Sequence, residues 1–176
     1  NLSPGYQVGL SEEIPLNKVW TINPEIYVSN HVNNYVNNFV QIDSINRFIT
    51  RHEFRLSQTN IMLPITIQYK LPLESRLNPY IFGGGSVSYI LLAEFNGQTN
   101  TSNETFEGAT EDLVPQRQLL NFGAILGAGI KIKAGKNQFL AELRMNYGFR
   151  NQVDASQRFS NQDLIFDYGY IENDFR

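Results

Sequence analysis

Hydrophobic and polar residues alternate with a period of two along most of the chain, and helical spacing is hard to find, so the pattern predicts an all-β protein. The clearest stretch spans residues 120 to 150. Leu120, Phe122, Ala124, Leu126, Ala128, Ile130 and Ile132 share one face of a strand, and Asn121, Gly123, Gly127, Gly129, Lys131 and Lys133 share the other. After a short AGKN connection the scheme repeats. Phe139, Ala141, Leu143, Met145, Tyr147 and Phe149 now stand opposite Glu142, Arg144, Asn146, Gly148 and Arg150.

Four earlier strands follow the same rule. Residues 5 to 16 place Tyr6, Val8, Leu10, Ile14 and Leu16 opposite Gln7, Gly9, Ser11 and Glu13, with Glu12 a misfit on the apolar face. A tight turn at Asn17-Lys18 leads into residues 19 to 29, where Trp20, Ile22, Pro24, Ile26 and Val28 oppose Thr21, Asn23, Glu25 and Ser29. In residues 53 to 71, Ile61, Leu63, Ile65, Ile67, Tyr69 and Leu71 face Pro64, Thr66, Gln68 and Lys70. Phe54 and Leu56 are apolar in the other parity, which predicts a bulge near Gln58 to Asn60. Residues 79 to 92 set Ile81, Val87, Tyr89 and Leu91 against Phe82, Gly84, Ser86 and Ser88.

The connections alternate in length. Asn17-Lys18, Pro72 to Asn78 and Ala134 to Asn137 are short, whereas residues 30 to 52, 93 to 116 and 151 to about 170 are long. The long segments, such as "NHVNNYVNNFVQIDS" and "NGQTNTSNETFEGATED", are rich in Asn, Gln, Ser and Thr and are expected to be exposed loops. Short turns at one end and long polar loops at the other are the asymmetry of an outer-membrane barrel, with the turns in the periplasm and the loops outside.

The direction of the apolar face decides the class of protein. A soluble sheet turns it inward, as a lipocalin-like barrel binding an apolar ligand would; a membrane barrel turns it to lipid. Strands of ten or more residues match the length needed to cross a bilayer at a tilt. Every charge in the regular part of residues 120 to 150, namely Lys131, Lys133, Glu142, Arg144 and Arg150, lies opposite the apolar face. Aromatic residues on that face gather toward strand ends: Trp20, Tyr69 and Phe139 beside short turns, and Tyr6, Phe122, Tyr147 and Phe149 near the far end. Two such bands suit the two lipid headgroup regions. The opposite face then becomes a narrow lumen. There Glu25, Gln68, Lys131, Glu142 and Arg144 are expected to pair in a charge network, with Gly84, Gly123, Gly127, Gly129 and Gly148 as their small partners.

Bulk composition is compatible with this reading. No apolar run approaches the eighteen residues of a membrane helix, and strands that alternate lipid-facing with lumen-facing residues average to the observed mean hydropathy of −0.30. The length of 176 residues fits one domain. A net charge of −3 gives no basic footprint for nucleic acid. Without cysteine there is no disulfide framework or thiolate site. The chain opens at Asn1 without a signal-peptide pattern, so any such segment is expected to have been removed or left out.

The candidate catalytic constellations lack the spacing that their chemistry needs. His31 and His52 flank a long polar segment that contains Asp43, but no metal-ligand spacing accompanies them. Glu12 and Glu13 are strand neighbours and point to opposite faces. "FGGGS" at residues 82 to 86 lacks the helix and the Lys-Ser/Thr of a phosphate loop. The expectation is a non-enzyme that needs no metal or other cofactor.

The segments "GYQVGLSEEIPLNKVWTINPEIYVS", "LPITIQYKL", "NPYIFGGGSVSYIL" and "LNFGAILGAGIKI" followed by "LAELRMNYGF" resemble, in order and over nearly the whole chain, the strands of the PorT-like outer-membrane β-barrel family, found chiefly in Bacteroidota. The resemblance implies an antiparallel up-and-down transmembrane barrel of eight strands, OmpX-sized, with its N-terminus in the periplasm of a Gram-negative cell. Six strands are visible. Residues 1 to 176 are therefore expected to form a single barrel domain whose first and last strands are missing or truncated. The family's name-giving member is implicated in protein secretion. The implied role is a structural or accessory component of an outer-membrane complex, bounded by lipid and lipopolysaccharide and in contact with other outer-membrane proteins. An enzyme acting on lipid or peptide through its loops is the remaining alternative.

Overall fold

The structure, a computed structural model, describes residues 5–42, 47–72, 77–100, 105–134, 137–162 and 165. The strands are β1 (Tyr6–Ser11), β2 (Ile14–Pro15), β3 (Trp20–Ile42), β4 (Arg47–Lys70), β5 (Leu77–Asn100), β6 (Thr105–Asp112), β7 (Leu120–Ala134) and β8 (Asn137–Gly148), with a 3-10 turn at Val114–Gln116. All pairings are antiparallel, and the sheet runs β1-β3-β4-β5-β7-β8. The β2 pair lies on the same edge of β3 as β1 and keeps its register; β6 lies beside the far part of β5, beyond β7. The chain is thus an up-and-down meander of six staves. Among the described residues the two outer staves are not hydrogen-bonded to each other.

The break between β1 and β2 has a local cause. Glu12 N–H donates to the Pro24 carbonyl at 3.1 Å, but Pro24 has no N–H to return to Glu12. Asn17 closes the following turn by accepting from the N–H groups of Val19 and Trp20, each at 2.9 Å.

Most of the described part of two segments expected as loops is strand. The β3–β4 ladder continues without interruption from Tyr27↔Met62 to Ile42↔Arg47, and β5 continues to Asn100 and pairs with β6. The composition of residues 30 to 52 and 93 to 116 is polar, yet Val32, Tyr35 and Val36 are strand formers and the matching partner sequence is in register. The segment from 149 to 162 is irregular, as expected, apart from a bridge between Arg117 and Val153.

The ladder irregularity falls at Thr59/Asn60 as the pattern predicts, but the extra residue belongs to the partner strand. Asn60 pairs with Ile90 and Thr59 with Leu92, leaving Leu91 over. Leu91 and Leu92 are both exposed, and the inward parity of β5 changes from Tyr80 and Phe82 to Ala93 and Phe95. On β4 the inward parity never changes. Phe54, Gln58, Asn60, Thr66 and Gln68 are all buried, so the parity change read at Phe54 is a change in what lines the interior.

The sheet is strongly curved. Adjacent strands lie about 4.8 Å apart, so β3 and β8, four steps apart, would be about 19 Å apart in a flat sheet. Instead the Arg144 guanidinium on β8 binds the Glu25 carboxylate on β3 with two contacts of 2.7 Å. In an eight-stave ring, strands four steps apart face each other across the lumen. The strands are also staggered: the perpendicular row beginning at Trp20 passes Tyr69, Ile81 and Ala128 and reaches Leu143, well inside β8. Such shear is what tilts strands in a barrel.

The convex face is apolar. Leu143 is 80% exposed, Leu10 77%, Met145 71% and Leu126 63%, values that a water-soluble core would never leave on its most regular face. The lipocalin-like alternative requires these residues on the inside, and the structure places them outside.

Candidate functional site

The concave face holds the residues assigned to an interior charge network, and the structure brings all five into two linked groups. In the first, Arg144 binds Glu25 bidentately and also donates to Glu142 from Nε at 3.2 Å and Nη2 at 2.9 Å. Asn23 Nδ2 donates to Glu25 Oε1 at 2.8 Å, and the Tyr80 hydroxyl donates to Glu142 Oε2 at 3.2 Å. In the second, Lys131 Nζ donates to Gln68 Oε1 at 3.2 Å and forms an ion pair with Glu13. Fork-on-fork Arg–carboxylate geometry is the strongest form of such a contact and suits a confined space.

The backbone explains why these side chains meet. Thr66 and Gln68 on β4, Tyr80 and Phe82 on β5, Lys131 on β7 and Arg144 on β8 all occupy inward parity, and the curvature turns their tips toward one another. The glycines have a different partner from the expected one. A Cβ at Gly129 would lie 2.4 Å from the Tyr80 ring, and one at Gly127 would lie 2.2 Å from the Phe82 ring. The aromatic rings therefore lie on the glycines. The cations sit over the rings, Lys131 at 4.9 Å from the Tyr80 centroid and Arg144 at 5.3 Å from that of Phe82. Glycine, ring and cation form a stack that occupies this level of the interior.

Sequence reasoning overlooked Glu13, Asn23 and Tyr80 as members of the network. Their signal was available, because each shares inward parity with a residue already placed there: Ser11, Glu25 and Phe82. Ile125 was also missed; it is fully buried against Tyr80 and Phe82 on the face that carries the glycines.

Above the ion cluster the interior changes character. Phe54, Ile90, Ala93, Phe95 and Leu113 form an apolar cluster against which Leu56, Val114 and Leu119 pack. The segment after β6 is stitched inward by Leu113 N–H to the Ala93 carbonyl at 2.7 Å and by Ile90 N–H to the Leu119 carbonyl at 2.9 Å. It pairs in turn with the segment after β8, through Gln118 N–H to the Gln152 carbonyl and Asp154 N–H to the Gln116 carbonyl. Gln152 reaches Gln58 on β4 at 2.6 Å. Two connecting segments thus cap the concave side.

The seven aromatic residues assigned to the apolar face lie on the convex side. Trp20 and Tyr69 are cross-strand neighbours with ring centroids 4.9 Å apart, and Tyr147 and Phe149 are 6.0 Å apart. Arg150 covers the Phe122 ring at 5.7 Å. Tyr6 and Phe139 lie on the two outermost staves, 61% and 62% exposed. Along β7, the ten steps from Phe122 to Ile132, which pairs with Phe139, cover roughly 33 Å of strand, or about 25 Å of height at the tilt of a membrane barrel. The outward face turns polar immediately beyond, where Asn30 on β3 donates to Ser57 and Thr59 on β4.

The residues weighed for catalysis do not converge. His31 lies opposite Gln58 in the β3–β4 ladder, and His52 Nδ1 lies 3.0 Å from Thr99 Oγ1. Asp43 lies outside the described residues. Glu13 pairs inward with Lys131 while Glu12 is exposed on the other face.

A curved antiparallel meander with a bare apolar exterior, aromatic residues at both rims of that exterior and ion pairs inside defines the class of membrane β-barrels. Residues 1–154 of the chain match the family model described as outer membrane protein beta-barrel domain. The chain belongs to that family, which places it in the outer membrane. No curated protein and no solved structure matched the chain.

Proposed function

We propose that this protein is a small, filled outer-membrane barrel with a structural or accessory role, working through its projecting hairpins and lateral contacts as part of an outer-membrane complex. The observation that supports the reading is the contrast between an interior crossed by ion pairs and strands that extend beyond the aromatic rim. The Arg144–Glu25–Glu142 cluster crosses the lumen and the segments around Leu113 and Val153 cap it, while β3, β4 and β5 run well past the aromatic rim. A lumen filled by side chains is a support and not a diffusion path.

In this reading the short connections after Leu16, Leu71 and Ala134 are periplasmic, and the β3–β4 and β5–β6 hairpins stand outside the cell in contact with lipopolysaccharide and partner proteins. Placement within the PorT-like branch, in Bacteroidota, and service to a secretion or assembly machine rest on the order of the strand motifs. The role is non-enzymatic and uses no cofactor.

Two measurements test it. In planar bilayers the full-length protein is expected to show no stepwise conductance, and a steady open channel would overturn the filled-barrel reading. Affinity purification from membranes dissolved in mild detergent should retain a partner that is lost when residues 33 to 56 are replaced by a short turn. Equal recovery of the same proteins from both forms would remove the hairpin from the proposal.

A further inference from the structure

Between the ion cluster and the apolar cap lies a chamber of about 280 Å³ whose lining differs from both. Its polar wall is formed by the amides of Gln58, Asn60, Asn121 and Asn146 and the hydroxyls of Ser86 and Ser88, and Met62, Phe122 and Tyr147 supply apolar surface for the faces of a ring. Among the described residues no Asp, Glu, Lys or Arg borders it. The space exists because Ser86, Gly123 and Gly148 form one cross-strand row over β5, β7 and β8, where small barrels ordinarily fill the interior with larger side chains.

Small residues alone would only leave a void, but the opposite wall carries polar groups under burial. Asn60 is 5% exposed and Gln58 8%. Gln58 Nε2 donates to Asn60 Oδ1 at 3.0 Å, and among the described residues the Asn60 Nδ2 group has no protein partner. Among the described residues the same holds for the half-buried hydroxyls of Ser86 and Ser88 and for the amide of Asn146, which is exposed on β8. Asn121 is already committed: it donates to the Arg150 carbonyl and accepts from Arg150 N–H, which fixes the wall. These polar atoms open onto the chamber, where their free hydrogen-bonding capacity is available to a bound group.

We propose that this chamber is a binding site for a small neutral polyol, of which a single sugar ring is the fitting chemistry. Amides and hydroxyls each offer donors and acceptors, the complement of vicinal hydroxyl groups. A wall without formal charge gives an ionised ligand nothing to replace its lost hydration. The volume lies at the small end of ligand sites, which limits the ligand to about one ring. The inference goes beyond the accessory role and stands independently of it.

The test uses the full-length protein in a zwitterionic, non-glycosidic detergent. Saturation-transfer NMR and calorimetric titration are run with glucose, galactose and N-acetylglucosamine, and with glucuronate as the charged control. A saturable signal is expected from at least one neutral sugar, with glucuronate at least tenfold weaker. Ser88→Leu fills the chamber and should weaken the neutral sugar at least tenfold; Ser86→Leu serves if the first variant fails to give the heat-modifiable folded form. No saturable binding by any neutral sugar, equal binding of glucuronate, or unchanged binding in a folded chamber-filled variant would each overturn the proposal.

Discussion

The two halves of β3 and β4 are built on one continuous ladder and yet face different surroundings. From Trp20 to Val28 and from Ile61 to Tyr69 the outward residues are aliphatic or aromatic, and the inward face carries Thr21, Asn23, Glu25, Thr66 and Gln68 beside Tyr27, Met62 and Pro64. Beyond Asn30 and Thr59 the balance shifts. Outward positions carry Ser57 and the Arg51–Glu53 ion pair, and the inward face gathers Tyr35, Phe54 and Phe95, whose rings stack at 5.3 and 5.4 Å. In lipid the backbone needs neighbours for every N–H and C=O, and the side chains need only be greasy outside. In water the same ribbon is held by an ordinary aromatic core. The difference shows that one strand can change solvent without changing its hydrogen bonds.

The largest effect should come from the lower half. Arg144→Met leaves Glu25, whose side chain is 8% exposed, without its cation and should cost about 3–5 kcal/mol. Urea titration followed by heat-modifiable gel mobility measures it. Pairing the change with Glu25→Gln should recover much of the loss, and equal instability of the double variant would mean that the ion pair is not the source. Next, Leu143→Arg on the convex face should cost about 2–4 kcal/mol, whereas Thr59→Arg, on the outward face just past the apolar band, should stay near zero. Similar losses at the two sites would erase the boundary drawn at Thr59.

A smaller effect is expected from packing. Gly129→Ala drives a methyl group into the Tyr80 ring and should cost about 1–3 kcal/mol in the same urea assay, with reduced loss when Tyr80 is also shortened to Leu. The smallest belongs to the upper half. Burial holds the His52 imidazole below its ordinary value, so its neutral form favours the folded hairpin. That contribution is complete above the unfolded pKa of about 6.5 and declines as pH falls through the lower folded value. Amide exchange near His52 and Thr99 should quicken over that window, and His52→Gln should flatten the response.

Much of the lower half was legible from period alone. All six staves, the faces of their regular parts and the five interior residues follow from parity, because parity in a strand is fixed by geometry. What failed has physical reasons. Strand ends were set too early because polarity was read as looseness, although Asn-rich sequence with Val and Tyr at intervals pairs well when a partner is in register. The irregularity at Asn60 was assigned to β4 because a change in lining and a change in parity look identical in one strand; only the partner's Leu91-Leu92 separates them. Tyr80 and Ile125 were missed because a lumen is not uniformly polar: glycine makes room for rings, and rings carry the cations.

The Arg144–Glu25 contact also has a meaning in time. Its partners are 119 residues apart, whereas each hairpin of the meander pairs neighbours in sequence. Contacts that close long loops form after local ones, so zipping should proceed hairpin by hairpin and the guanidinium should meet its carboxylate near the end. The ion pair would then act as a record of completed assembly, present only in molecules whose six staves have all curled into place.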